Sequence, residues 1–204
     1  MVARQRTATR RRMAAPERRE QVLDVARTIV AEQGFNGVSI QSVARAAGVT
    51  RPIVYEHFGD LDGLLEALVD REMKRSREQI ETTALGDLGD GDAVALMLES
   101  LGRYLAAVEE NPDTWRLVLA PPEEAPPGLR RRIRRGRERV RRGLTEAVGP
   151  GFPPGALADD PELTARTLSA MADEYALMVI EDPARFPPAR LLEHAQAWLE
   201  HVAV

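Results

Sequence analysis

The 204-residue chain has no cysteine. That excludes disulfides, thiolate metal sites and cysteine nucleophiles, and it suits a reducing compartment. Aromatic residues make up only 4%. Ala and Leu are abundant and no strand-like alternation of apolar and polar residues appears, so the composition favours helices over sheets. Long hydrophobic runs are missing as well. No stretch approaches the ~20 uncharged apolar residues of a membrane span, and the apolar run around Tyr175 to Ile180 is far shorter. The basic N-terminus leads into no apolar signal core, so no secretory signal is expected and the cytoplasm is the expected location. No Gly-rich phosphate loop, nucleophile elbow or triad order is present, so neither a catalytic residue nor an enzyme activity is expected. Of the three histidines, His194 and His201 share a helical face with Glu193 and Glu200 close by. They match no recognised ligand pattern, and neither a metal nor a cofactor is expected.

What is present begins with charge. The net charge of −4 hides an asymmetry. Residues 1–58 hold ten Arg against five acids, whereas residues 59–204 hold 18 basic and 27 acidic residues. A basic first segment ahead of an acidic larger one suggests that only the first part meets a polyanion. Residues 1–15 carry Arg4, Arg6, Arg10, Arg11 and Arg12 without an acid. They read as a disordered basic tail, suited either to DNA phosphates and the minor groove or to plain solubility.

The first helix should begin near Pro16, which suits a first helical turn, with Val22, Val25, Ala26, Ile29 and Val30 on one apolar face. Gly34 should end it as a left-handed cap. Ser39 is an N-cap for a short helix whose buried side is Ile40, Val43, Ala44 and Ala47. Gly48 breaks that helix at a tight turn. Thr50 should cap a second short helix with Pro52 in its first turn, and this helix runs through Ile53, Val54 and Tyr55 to Phe58. Two short helices, a Gly turn and small residues at the crossing are what a helix-turn-helix requires. Asp60 should cap the next helix, bearing Leu61, Leu64, Leu65, Leu68, Val69 and Met73. Gly86 to Asp92 reads as a loop. Helices are expected over Ala93–Glu110, from Pro112, over Leu129–Val148, over Pro161–Glu181 and over Pro188–Val202. The proline-rich stretch from Pro121 to Pro127 and the stretch from Gly149 to Gly155 should be connections.

The segment Ser39-Ile40-Gln41-Ser42-Val43-Ala44-Arg45-Ala46-Ala47-Gly48-Val49-Thr50, followed by Tyr55-Glu56-His57-Phe58, resembles the DNA-binding signature of TetR-type transcriptional regulators. The resemblance covers about residues 16–75. It implies an all-α fold, in which a three-helix, helix-turn-helix DNA-binding domain (16–75, motif 39–58) precedes a larger helical effector-binding and dimerisation domain (76–204). One position departs from the pattern: the Lys usual at the start of the helix after the motif is here Leu61, preceded by Asp60.

A helix N-terminus in the major groove reaches base edges. Arg51 is the first choice for base readout, because it can donate two bonds to guanine, and Pro52 could touch a thymine methyl. Val54 is either an apolar contact or core. Tyr55 and His57 resemble the family's phosphate-contacting pair. Ser39, Gln41 and Thr50 lie at helix N-termini, where side-chain donors and free amides favour a phosphate, and Arg45 should face the backbone too. The expected partner is double-stranded operator DNA bound by a homodimer, repressing transcription until a small-molecule effector releases it. A constitutive DNA-binding or architectural dimer and a helical interaction protein without operator binding are the alternatives.

Nine arginines lie between Arg130 and Arg142 around the stripe Leu129, Ile133, Gly136, Val140 and Leu144. The favoured reading is a solvated or ion-paired face with Val140 buried; the other is a subsite for an acidic effector or a membrane-surface contact. The helix over Pro161–Glu181 is apolar nearly all round and, with the last helix, resembles the family's dimer-forming pair. The family usually binds an effector inside its helical domain. The expected pocket is Met97, Leu101, Tyr104, Trp115, Leu119, Met171, Glu174, Tyr175 and Met178, an apolar lining with Glu174 as a possible anchor.

Overall fold

A computed structural model describes residues 13–81, 93–119, 125, 127–151 and 156–202. Its elements are α1 (Ala15–Gln33), a 3₁₀ turn (Phe35–Gly37), α2 (Ile40–Ala46), α3 (Arg51–Phe58), α4 (Leu61–Glu81), α5 (Ala93–Glu110), α6 (Pro112–Leu119), α7 (Pro127–Gly151), α8 (Ala156–Asp159), α9 (Pro161–Glu181) and α10 (Pro188–Val202). The fold is all-α, with no strand among the described residues.

The first four helices close around one core. Val22, Leu23, Ala26, Ile29 and Val30 are the buried face of α1; Leu23 takes the place expected for Val25, which is only partly buried. Gly34 ends α1 at φ 69° and ψ 179°. The positive φ is as expected, but the extended ψ is not that of a left-handed helical cap; it turns the chain directly into the 3₁₀ turn. Ser39 Oγ accepts from the Ser42 amide at 3.0 Å and Ser42 Oγ accepts from the Ser39 amide at 2.9 Å. This reciprocal pair fixes the start of α2. Gly48, at φ 65°, makes the turn into α3, and Gln21 Nε2 donates to the Ala47 carbonyl at 3.2 Å, tying α2 back to α1.

Thr50 occupies the N-cap position of α3 but its side chain makes no capping bond. Pro52 already removes one amide from that turn, which lowers the need for a capping acceptor. Val54 is fully buried and belongs to the core. Asp60 Oδ1 accepts from the Gly63 amide at 2.7 Å and caps α4 as expected.

The remaining helices build two further apolar clusters. One joins α5, α6, α9 and α10 through Leu105, Val108, Val118, Ala176, Val179 and Leu191. The other is smaller and centres on Val148, Leu168 and Leu199. The N-terminal core is not sealed off from this half. Leu117 of α6, Ala125, and Leu129 and Ile133 of α7 are buried in the same cluster as α1–α4. Helix α4 runs unbroken past position 75, so both halves share a rigid rod.

Two expectations about α7 change. It continues through residues 149–151, where a turn was expected. Val140 is 46% exposed rather than buried, because it lies on the wall of a cavity. The expected tail over residues 1–12, the loop at 86–92 and most of the 121–126 connection lie outside the described residues.

Candidate nucleic-acid interface and ligand cavity

Helix α3 is buried at Val54, half-buried at Ile53, His57 and Phe58, and bare on its remaining side. Val54 faces inward, while Arg51, Pro52, Tyr55 and Glu56, spaced to share one helical side, are exposed. Tyr55 is 42% exposed, unusual for a large ring on a small helical unit. His57 is half-buried beside the Phe58 ring. Phe58 is itself held between the core and the Arg19 guanidinium, 5.0 Å above its ring. Ser39, Gln41, Arg45 and Thr50 are all exposed, on the solvent side of α2 and at the entrance to α3. The eight residues expected from sequence therefore occupy one unit, seven exposed and His57 half-buried. Leu61 packs against the core instead of pointing outward, and the Asp60 carboxylate is committed to its cap.

A cavity of about 1030 Å³ lies between α4, α5, α6, α7 and α9, with Leu199 of α10 at one end. Six of the nine residues expected to line it do so: Met97, Leu101, Tyr104, Trp115, Leu119 and Met171. Three do not. Glu174 is exposed. Tyr175 is buried in the α5–α10 core, where its hydroxyl meets His194 Nδ1 at 2.6 Å. Met178 packs against that same core. The physical reason is helical rotation: one residue is about 100° of arc, and the face of α9 that looks into the cavity carries Leu168, Met171, Ala172 and Asp173. The acid that α9 places in the wall is thus Asp173, not Glu174. His194 being engaged with Tyr175, and the side chain of His201 lying outside the described residues, the two do not form a described pair.

The cavity floor is aromatic. Tyr104 and Trp115 meet edge to face with centroids 4.9 Å apart. The Trp115 indole N–H donates to Gln79 Oε1 at 3.0 Å. The Tyr104 hydroxyl donates to Asp173; burial first, and the nearby carboxylate second, push the phenol far above its usual range. Burial also raises Asp173, with Arg137 pulling it partly back. Arg137 Nη2 in turn donates to the Leu119 carbonyl at 2.6 Å, near the C-terminal end of α6.

Among the described residues the cavity is lined by eight Lys or Arg side chains and by two acids, Asp70 and Asp173. Most of those cations come from the arginine run on α7. The sequence favours a solvated or ion-paired face for this run, with an acidic-effector subsite or a membrane-surface contact as the other reading. Ion pairing accounts for part of the run: Arg132 pairs with Asp70 and Glu66 across to α4, and Arg141 pairs with Glu138.

A helix-turn-helix unit docked on a helical body with an internal cavity is the architecture of one-component transcriptional regulators. Two family models divide the chain accordingly. Residues 22–68 match that of bacterial regulatory proteins of the tetR family, and residues 93–204 match the C-terminal model of BetI-type transcriptional repressors. The chain belongs to the TetR family of transcriptional regulators.

Among curated relatives, the repressor AcnR of Corynebacterium glutamicum is 31% identical over 86 residues, covering 42% of this chain and 43% of that protein. The chain thus spans less than half the length of this relative. Among solved structures, a TetR-like regulator from Rhodococcus sp. RHA1 superposes with a TM-score of 0.76 at 20% identity, covering 95% of this chain and 100% of that one. AibR, solved in complex with isovaleryl coenzyme A and operator DNA, superposes with a TM-score of 0.70 at 18% identity, covering 89% of this chain and 97% of AibR. These likenesses establish the fold.

Proposed function

We propose that the protein is a dimeric repressor that binds operator DNA through α2 and α3 and leaves it when a small molecule fills the cavity. The observation that carries this reading is the bare face of α3, with Arg51 and Pro52 in its first turn and Tyr55 one turn on. A helix presented in this way enters a major groove with its N-terminal residues against the base edges. Arg51 is assigned to base readout, Pro52 to an apolar contact, and Ser39, Gln41, Arg45, Thr50, Tyr55 and His57 to phosphates. The unit over 16–75 is the DNA-binding domain, and 76–204 binds effector and dimerises. Residues 1–15 supply a basic tail.

The dimer forms through α9 and α10. Two copies of that pair make a four-helix interface and a two-fold axis that a palindromic operator matches, with half-sites about 34–36 Å apart. Met97, Leu101, Tyr104, Trp115, Leu119 and Met171 belong to the effector site. AibR, of the same fold, holds both an acyl thioester and operator DNA, which supports a ligand-released regulator over a catalyst. The protein acts in the cytoplasm, where the operator is; among the described residues no helix is long and apolar enough to cross a membrane.

The test is a titration of labelled DNA from upstream of the protein's own gene against scrambled DNA. Specific, salt-sensitive binding by a dimer is expected. Equal affinity for both DNAs would remove the operator assignment, and absence of binding to either at low salt would remove the DNA-binding reading.

A further inference from the structure

The charge of the cavity wall selects among effectors. The chain as a whole is acidic, at −4, yet among the described residues the cavity carries eight cations against two acids. One of those acids, Asp173, is held toward its neutral form by burial. The other, Asp70, is already spent on Arg132.

Two arginine rows, each one helical turn apart on α7, remain underused. Arg135 and Arg139 line the cavity, are exposed, and form no ion pair among the described residues. Arg137 and Arg141 line it from farther in, and each keeps a buried Nε–H without an acceptor. Leaving a buried guanidinium donor unmade is costly, and an oxyanion is the acceptor its geometry fits best. Opposite these rows the wall is apolar, with Met97, Leu101, Trp115, Leu168 and Met171. The Tyr104 hydroxyl on this wall is already bonded to Asp173.

We infer that the effector is an amphipathic anion, with an apolar body against the methionine and aromatic wall and a phosphate or carboxylate head held by Arg135, Arg137, Arg139 and Arg141. The inference rests on the ligand-released reading and sharpens it. A positively charged effector is disfavoured by the same wall. The exposed Val140, between the two rows in sequence, also lines the cavity.

The test follows Trp115 emission in a Trp198→Phe background, because Trp115 lines the cavity. The probes are decyl phosphate, decanoate, decan-1-ol, decyltrimethylammonium and inorganic phosphate, each below its micelle-forming concentration. At least one anionic amphiphile is expected to bind about tenfold or more tighter than the alcohol, and the phosphate and carboxylate arms distinguish the two heads. R135Q/R139Q, altering two exposed side chains that form no ion pair among the described residues, should abolish that preference and leave decan-1-ol unchanged. If the alcohol or the ammonium binds as tightly as the anions, or if the double variant keeps the preference, the charge selection is wrong and the cavity remains a ligand site. Inorganic phosphate binding as tightly as decyl phosphate would remove the apolar body. If no amphiphile of any charge binds, the ligand-released reading falls with it.

Discussion

Thr114 Oγ1 donates a 2.6 Å hydrogen bond to Glu72 Oε2, joining α6 to a fully buried carboxylate on α4. The other oxygen, Oε1, accepts from Arg71 Nε at 2.8 Å. Arg71 Nη1 then reaches Glu20 and Asp24 of α1, each at 3.0 Å. A polar chain thus runs from α6, through the long helix, to the first helix of the DNA-binding unit. A buried carboxylate persists only when its oxygens are paired, so each link depends on the next.

Thr114→Val keeps the shape of the side chain and removes the donor. It should destabilise the protein by about 1–3 kcal/mol, the cost of a buried acceptor left short of a partner. Urea denaturation reads this directly. An unchanged midpoint would mean that water or Arg75, 3.5 Å from Oε1, replaces the threonine without loss.

Arg51→Ala should weaken binding to the operator by about 1–3 kcal/mol while affecting scrambled DNA much less. Leu61→Lys should do the opposite. It restores a cation where the family usually has one, and should raise affinity for every sequence and steepen the salt slope by about one unit. Because Leu61 packs against the core, the same variant should lose some stability. Fluorescence anisotropy at several salt concentrations separates the two effects, and parallel losses on both DNAs for Arg51→Ala would reassign that residue to phosphate contact.

Burial raises Asp173 above the ordinary aspartate value of 3.8. The unfolded chain releases its proton near that value, whereas the folded chain keeps it to higher pH. Between the two, the folded state binds more protons, so stability falls as pH rises through this window. Asp173→Asn has no such titration. The stability of the variant minus that of the parent should therefore grow as pH rises from about 4 through the mildly acidic range, then level off. A difference that stays flat would show that Arg137 fully offsets the burial.

Leu163 is 60% exposed at the start of α9, and Thr167, Ala170 and Glu174 follow it along the same bare side. If α9 pairs with its copy, Thr167→Arg should convert dimer to monomer in sedimentation experiments and abolish operator binding, while the helical circular dichroism stays the same. A variant that remains dimeric would move the interface elsewhere.

The helices were readable because apolar residues at helical spacing have to find a core, and the glycines at 34, 48 and 59, all at positive φ, mark turns that few other residues make. Rotation was harder. Glu174 and Asp173 are neighbours in sequence, yet only Asp173 reaches the cavity, and nothing in an apolar-all-round helix says which acid turns inward. The arginine run was ambiguous for a related reason: a cationic face looks the same in sequence whether it meets water, an acidic helix or a cavity. Glu72 left no trace at all. A charged residue on an amphipathic helix reads as surface, and only the convergence of α1, α4 and α6 buries it.

Helix α6 has eight residues and no idle side. Leu117 lies in the core of the DNA-binding unit, while Trp115, Val118 and Leu119 line the cavity. A random library selected for mutants deaf to effector should consequently return many from α6 that are also heat-sensitive, because the part that listens is a part that holds the molecule together. Evolving a new ligand preference in this chain is then easiest from α7 and α9, where the wall can change without loosening the grip on α1.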